Sequence, residues 1–171
     1  MNPAPPPPAA VAQAEIAQLE PQVAANVGNF PAASRLVGLY LQTQQNPKAA
    51  ELLTKMLDNP KADEMTVRFV AEMFANRLGD IGKVETALVK LLKLTPDSPE
   101  GWFDLAAVQT VLNKPGEAVK SLDECLQRNA KRLAAAPASP NLYSNLQTDA
   151  RFAALRPSPD FQKLVQQYAG K

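Results

Sequence analysis

Between Gly101 and Ala130 the chain reads GWFDLAAVQTVLNKPGEAVKSLDECLQRNA. Trp102, Leu105, Val108 and Leu112 recur at the three- and four-residue spacing that places side chains on one helical face. Asn113-Lys114-Pro115-Gly116 breaks this pattern. Pro115 stands where a new helix can start, because its missing N–H would have no partner there. A second apolar face follows at Ala118, Leu122, Cys125 and Leu126. The stretch predicts two amphipathic helices joined by a tight turn. Neither buries its stripe alone, so the pattern requires neighbours of the same kind.

Those neighbours are present along the chain. Val11 to Val27 has a helical pattern with Ile16, Leu19 and Val23 on one side, and Pro21 within it predicts a kink or a split. Gly28-Asn29 is the expected stop. Pro31 to Thr43 predicts a helix with Leu36, Leu39 and Tyr40 apolar, closed by a turn at Gln44-Gln45-Asn46. Pro47 opens the next, faced by Ala50, Leu53, Met56 and Leu57 and ending near Asn59-Pro60. Asp63 has the character of an N-cap, since its carboxylate can accept from unpaired N–H groups of the first turn. Val67, Val70, Ala71, Phe74 and Leu78 make the face that follows, up to a turn at Gly79-Asp80. Lys83 to Leu94 is helical by pattern, with Val84, Leu88, Leu91 and Leu92 inward. No run alternates as a strand does.

The helix pairs recur. Ala49, Val84 and Ala118, each one turn inside the second helix of a pair, lie 35 and 34 residues apart, and Leu53, Leu88 and Leu122 follow four residues after each. This period resembles the tetratricopeptide repeat in its bacterial-type modules. The likeness is most specific at Trp102-x-x-Leu105 and Ala118-x-x-x-Leu122. There Ala106 replaces the family's Gly, Gln109 its Tyr and Ala130 its closing Pro. Leu36 and Tyr40 sit in register in the first unit, with Gly38 one residue late. The second unit departs at Arg68, Ala71 and Ala75 but keeps Gly79-Asp80 and Pro96. The resemblance implies an all-α, right-handed α-solenoid of antiparallel helix pairs. About three repeats are expected, with an N-terminal half-repeat and a C-terminal capping helix.

The domain boundaries follow. Residues 1–10, MNPAPPPPAA, predict a Pro-rich extended leader or linker, which is either a semi-rigid spacer or a ligand for an aromatic-lined groove. Residues 11–135 are the repeat domain. Residues 136–171 are a loop and capping segment, in which Phe152 and Leu155 precede a short amphipathic helix bearing Phe161, Leu164, Val165 and Tyr168.

Composition narrows the function. The 171-residue chain has no histidine, which removes imidazole-based nucleophile systems, imidazole general bases and most zinc sites. The adjacent acids Asp63-Glu64 and Asp123-Glu124 do not converge, because neighbouring helical residues point about 100° apart. No phosphate-cradling glycine loop or dinucleotide fingerprint occurs. An enzyme is therefore not expected, and no cofactor or metal is. A net charge of +1 gives no footprint for nucleic acid. The single cysteine, Cys125, cannot form an intrachain disulfide and falls on an apolar face, as a buried thiol does. No apolar run reaches the roughly 20 residues of a membrane span, and no signal-peptide pattern precedes Arg35. A cytoplasmic location is the expectation, or a periplasmic or membrane-tethered one if the chain is a domain of a longer protein.

The resemblance also implies a site. In that family the first helix of each pair lines a concave groove, here Ser34, Gly38 and Leu41, then Thr66, Phe69, Met73, Asn76 and Arg77, then Phe103, Ala107 and Thr110. The Lys, Asn and Arg clamp of chaperone-binding members is absent from this register. Two readings of Phe69, Met73, Phe103 and Ala107 stand side by side: an apolar groove for a peptide or helix, or packing against the chain's own terminal segments or the second helices. Trp102 is assigned to the core and Phe103 to the groove. The expected function is a scaffold or adaptor that binds a protein or peptide partner. The alternative is an assembly tail of a larger, membrane-anchored bacterial protein.

Overall fold

The computed structural model describes residues 8–169, and among these it is all-helical, with no strand. Nine α-helices appear in the described residues: α1 Pro8–Ala25, α2 Phe30–Gln42, α3 Asn46–Asp58, α4 Glu64–Met73, α5 Ile81–Leu94, α6 Pro99–Val111, α7 Pro115–Ala135, α8 Leu142–Thr148 and α9 Pro159–Tyr168. A π-helical turn, Phe74–Leu78, extends α4, and a 3-10 turn spans Ala150–Phe152. The chain divides into two compact units, residues 1–79 and 80–171.

In the first unit α1 packs on α2, α2 on α3 and α3 on α4. The side chains between them are those of the apolar stripes: Ile16 and Val23, Leu36, Val37 and Leu39, Leu53 and Met56, Val67, Val70 and Phe74 are all buried. Helix starts follow local chemistry. Asn29 caps α2 by accepting from the Ala32 N–H, and Asp63 caps α4 by accepting from the Thr66 N–H at 2.9 Å. Each satisfies a donor that the first turn leaves unpaired.

Two expectations about α1 need correction. Pro8, Ala9 and Ala10 belong to the helix, because Pro is tolerated in a first turn where its missing N–H is not needed. These three residues are therefore helical and not extended, and residues 1–7 of the Pro-rich stretch lie outside the described residues. Of the kink or split expected at Pro21, the split does not occur, since the helix runs through it. Pro21 and Ala17, whose carbonyl loses its usual donor, are both on the exposed side, where water can serve that carbonyl. The next carbonyl, Gln18, accepts from the Gln22 side chain at 3.1 Å.

In the second unit α5 packs on α6, α6 on α7, and the C-terminal elements pack on α6 and α7. Helix α7 extends to Ala135, past Asn129, where the apolar pattern fades. The core joins Phe103, Ala106 and Ala107 of α6 with Ala118, Leu122, Cys125 and Leu126 of α7. It continues into Leu142, Leu146, Phe152, Leu155, Phe161, Leu164 and Tyr168.

The turns between helices recur at a regular spacing. The described backbone enters the left-handed region at three residues, Gln44, Gly79 and Asn113. Their spacing of 35 and 34 residues is that of Ala49, Val84 and Ala118. At the first and third the hydrogen bonds coincide one for one. The Gln45 N–H donates to the Tyr40 carbonyl and Gln44 to Leu41; the Lys114 N–H donates to Gln109 and Asn113 to Thr110. This is the Schellman arrangement, in which the left-handed residue's own N–H and that of the next residue serve the last helical carbonyls. A Pro-started helix follows each time, at Pro47 and at Pro115. Gly79 closes its turn differently, donating to the Phe74 carbonyl across the π-helical turn.

Candidate functional site

The expected groove residues separate into those left accessible and those the fold uses. On α2, Gly38 is exposed and Ser34 and Leu41 half-buried; on α4, Thr66, Phe69 and Met73 are half-buried; in the π-helical turn, Asn76 and Arg77 are exposed. These lie in the first unit. On α6 the outcome differs: Phe103 and Ala107 are buried, and Thr110 donates its hydroxyl back to the Ala106 carbonyl at 2.8 Å.

Phe103 is therefore a core residue, while Trp102 is half-buried and packs against the same core cluster. Its ring meets Phe152 edge-on, with centroids 4.9 Å apart. The Arg151 guanidinium lies 5.2 Å over the Phe103 ring and bonds Asp149 at 2.7 Å and Asp104 at 3.2 Å. Arg151 holds the Asp149 carboxyl below its ordinary pKa, chiefly by that hydrogen bond. Trp102 is half-buried at the side, its indole N–H donating to the Pro96 carbonyl at 2.9 Å under the Arg128 guanidinium, 5.0 Å from the ring. The reason lies in α6. Gly101, Phe103, Leu105, Ala106, Ala107 and Gln109 are all buried, so this helix is apolar on more than one face, as a helix covered on several sides must be.

What stays open is a depression of about 570 Å³ in the first unit, lined by Phe30, Met65 and Phe69 with Glu64, Arg68 and Glu72 around them. Phe30, at the start of α2, and Phe69, in the middle of α4, meet edge-on with ring centroids 5.4 Å apart. Met65 is 55% exposed. Met65 and Phe69 stand one turn apart on α4, off the stripe formed by Val67, Val70 and Phe74. Phe30 and Met65 were missed in the sequence. Phe30 is hidden between the Gly28-Asn29 stop and Pro31, whereas the i, i+4 pair Met65 and Phe69 was a legible sign.

A larger cleft of about 1160 Å³ runs between α1, α2 and α3. Four of its charged groups are paired with one another. Glu20 accepts from the Tyr40 hydroxyl at 2.7 Å and from Lys48 at 3.0 Å, and Lys55 bonds Glu51 at 2.7 Å. The Tyr40 and Lys48 bonds hold Glu20 below the ordinary carboxyl range, while burial and Glu20 raise the Tyr40 phenol. This cleft presents neutralised pairs over a closed apolar floor.

Reactive chemistry is scarce. Cys125 is fully buried, and burial pushes its thiol up to about 12, the reverse of an activated nucleophile. Among the described residues no group of three His, Cys, Asp or Glu is placed to hold a metal ion. No helix among them is long and apolar enough to cross a membrane. No family model, curated protein or solved structure matches the chain.

Proposed function

We propose that this chain is a tetratricopeptide-type helical-repeat module that binds a segment of another protein, with the contact centred on Phe30, Met65 and Phe69. The observation that carries the reading is the half-buried aromatic pair Phe30–Phe69 with the exposed Met65 beside it. Apolar side chains gathered around a concavity and rimmed by charge are typical of contact sites, and aromatic anchors of this kind dominate contact energies. The recurrence of left-handed turns at Gln44, Gly79 and Asn113 supports the repeat. It favours α2 and α4 as equivalent first helices, whose accessible face includes Ser34, Leu41, Thr66 and Met73. The Lys48–Glu20 and Lys55–Glu51 pairs of the larger cleft and the buried thiol favour binding over catalysis.

The test compares wild type with the Phe69→Ser, Met65→Ser double variant in affinity capture from native lysate. Circular dichroism establishes that the variant keeps its helix. Loss of the captured partner is the expected result. A partner retained undiminished by a folded variant overturns the proposal.

A further inference from the structure

The composition of the depression's rim specifies its ligand, granted that the depression binds at all. Met65, Phe69 and Glu72 follow one another along α4 at four- and three-residue steps, so they form a single line on its surface. Two members are apolar and the third is a carboxylate. Glu64 and Arg68 flank this line and are bonded to each other, Nε to Oε1 at 2.8 Å. Arg68 is thus already supplied with a carboxylate. Glu72 lines the depression, is exposed, and makes no ion pair among the described residues. Arg77, further along in the π-helical turn, does not line the depression.

We infer that the depression takes a peptide segment bearing one bulky apolar side chain with a Lys or Arg about one helical turn away. The apolar group lies against Phe30, Met65 and Phe69, and the cation meets the Glu72 carboxylate. The separation comes from the helix itself, since three residues of α4 advance about 4.5 Å. An acidic segment presents its charge to the unneutralised Glu72 and is disfavoured. Rim charges act in this way on partner choice more than on total affinity.

Four synthetic 12-residue helix-favouring peptides, carrying a fluorophore, test this by anisotropy titration: Leu or Ala at the anchor, combined with Lys or Glu four residues on. The Leu–Lys peptide is expected to bind best, about threefold tighter than Leu–Glu, the scale of one exposed ion pair. In Glu72→Lys the order of the two Leu peptides inverts, and Glu72→Gln abolishes the difference. Equal binding of both Leu peptides to wild type overturns the charge preference and leaves the apolar binding reading standing. If Leu and Ala peptides bind alike, or none binds, that reading falls as well. Sedimentation of the protein alone covers the remaining occupant. A dimer abolished by Phe69→Ser assigns the face to a second copy and overturns the inference.

Discussion

Phe103 and Phe152 meet edge-on, ring centroids 4.9 Å apart with planes at 80°. The contact ties the middle of α6 to the 3-10 turn after α8, and both rings are buried. A residue expected in a groove is here closed over by the chain's own C-terminal segment. Phe103→Ala and Phe152→Ala are each expected to destabilise the protein by about 3–5 kcal/mol, the range for truncating a core Phe. The double variant should show coupling of about 0.5–1.5 kcal/mol beyond area loss, from the edge-to-face geometry. Phe69→Ala, at a half-buried ring, should cost about 1 kcal/mol. Urea midpoints measure all four variants. A Phe103→Ala variant as stable as Phe69→Ala would show that the C-terminal segment does not seat on α6.

The left-handed turn residues give a second expectation. An L-residue pays about 1–2 kcal/mol in this conformation, whereas Gly does not. At Gly79, with φ +70°, an added Cβ meets nothing within 4 Å, so Gly79→Ala should lose that backbone term alone. Gln44 is left-handed at φ 59° with an ordinary side chain. Gln44→Gly should therefore raise stability by about 0.5–1 kcal/mol, after the extra chain entropy of Gly is subtracted. Thermal unfolding that moved Gln44→Gly down would contradict the turn geometry.

Much of this architecture was legible in the sequence, and the losses have physical causes. The turns at Gln44, Gly79 and Asn113, the cap at Asp63 and the stripes of α2, α3 and α5 follow from spacing, because each helix has one buried face. Helix α6 does not. Its second face is covered by Leu142, Phe152 and Leu155, and nothing near Trp102 signals that a remote segment will choose Phe103 for burial. Helix α8 is seven residues long, too short for periodicity to register. The candidate site was half legible: Phe69 is among the residues expected in a groove, but its neighbour Phe30 comes from a helix start that local signals labelled as loop.

Alkaline pH should weaken the fold. Burial pushes the Cys125 thiol up to about 12, and burial together with Asp123 raises the Tyr168 phenol above its ordinary value. These groups keep their protons in the folded state while the unfolded chain releases them near pH 8.5 and 10. Above those values the unfolded state binds fewer protons, so stability falls as pH rises. The protection is complete below about pH 8.5 and is lost progressively toward pH 12 for the thiol. Between pH 8 and 10.5 the wild type should lose about 1–2 kcal/mol more than Cys125→Ala, read from urea midpoints at the two pH values. Equal losses would mean that Cys125 is accessible. A thiol reagent at pH 8 should then also label the folded protein.

The C-terminal segment is held by a polar latch as well as by its core. Asn129, only 3% exposed on α7, donates from Nδ2 to Asn141 Oδ1 at 3.1 Å. Its own Oδ1 accepts from the buried Leu142 N–H at 3.3 Å and from Arg132 at 3.0 Å. One amide thus satisfies the first N–H of α8 and the side chain that caps it, since Asn141 accepts from Tyr143 N–H. Removing the latch leaves buried donors unmade, a loss of about 1–3 kcal/mol, and it acts where α8 begins. In Asn129→Ala the amides of Leu142 and Tyr143 should exchange with solvent faster by a factor of ten or so, while those of α5 remain slow. Asn129→Asp keeps the acceptor and loses the donor, so it should fall between the two. Uniform acceleration across α5, α6 and α8 in Asn129→Ala would place the residue in the global fold instead. Acceleration confined to α8 would show that the segment covering Phe103 opens as a separate unit.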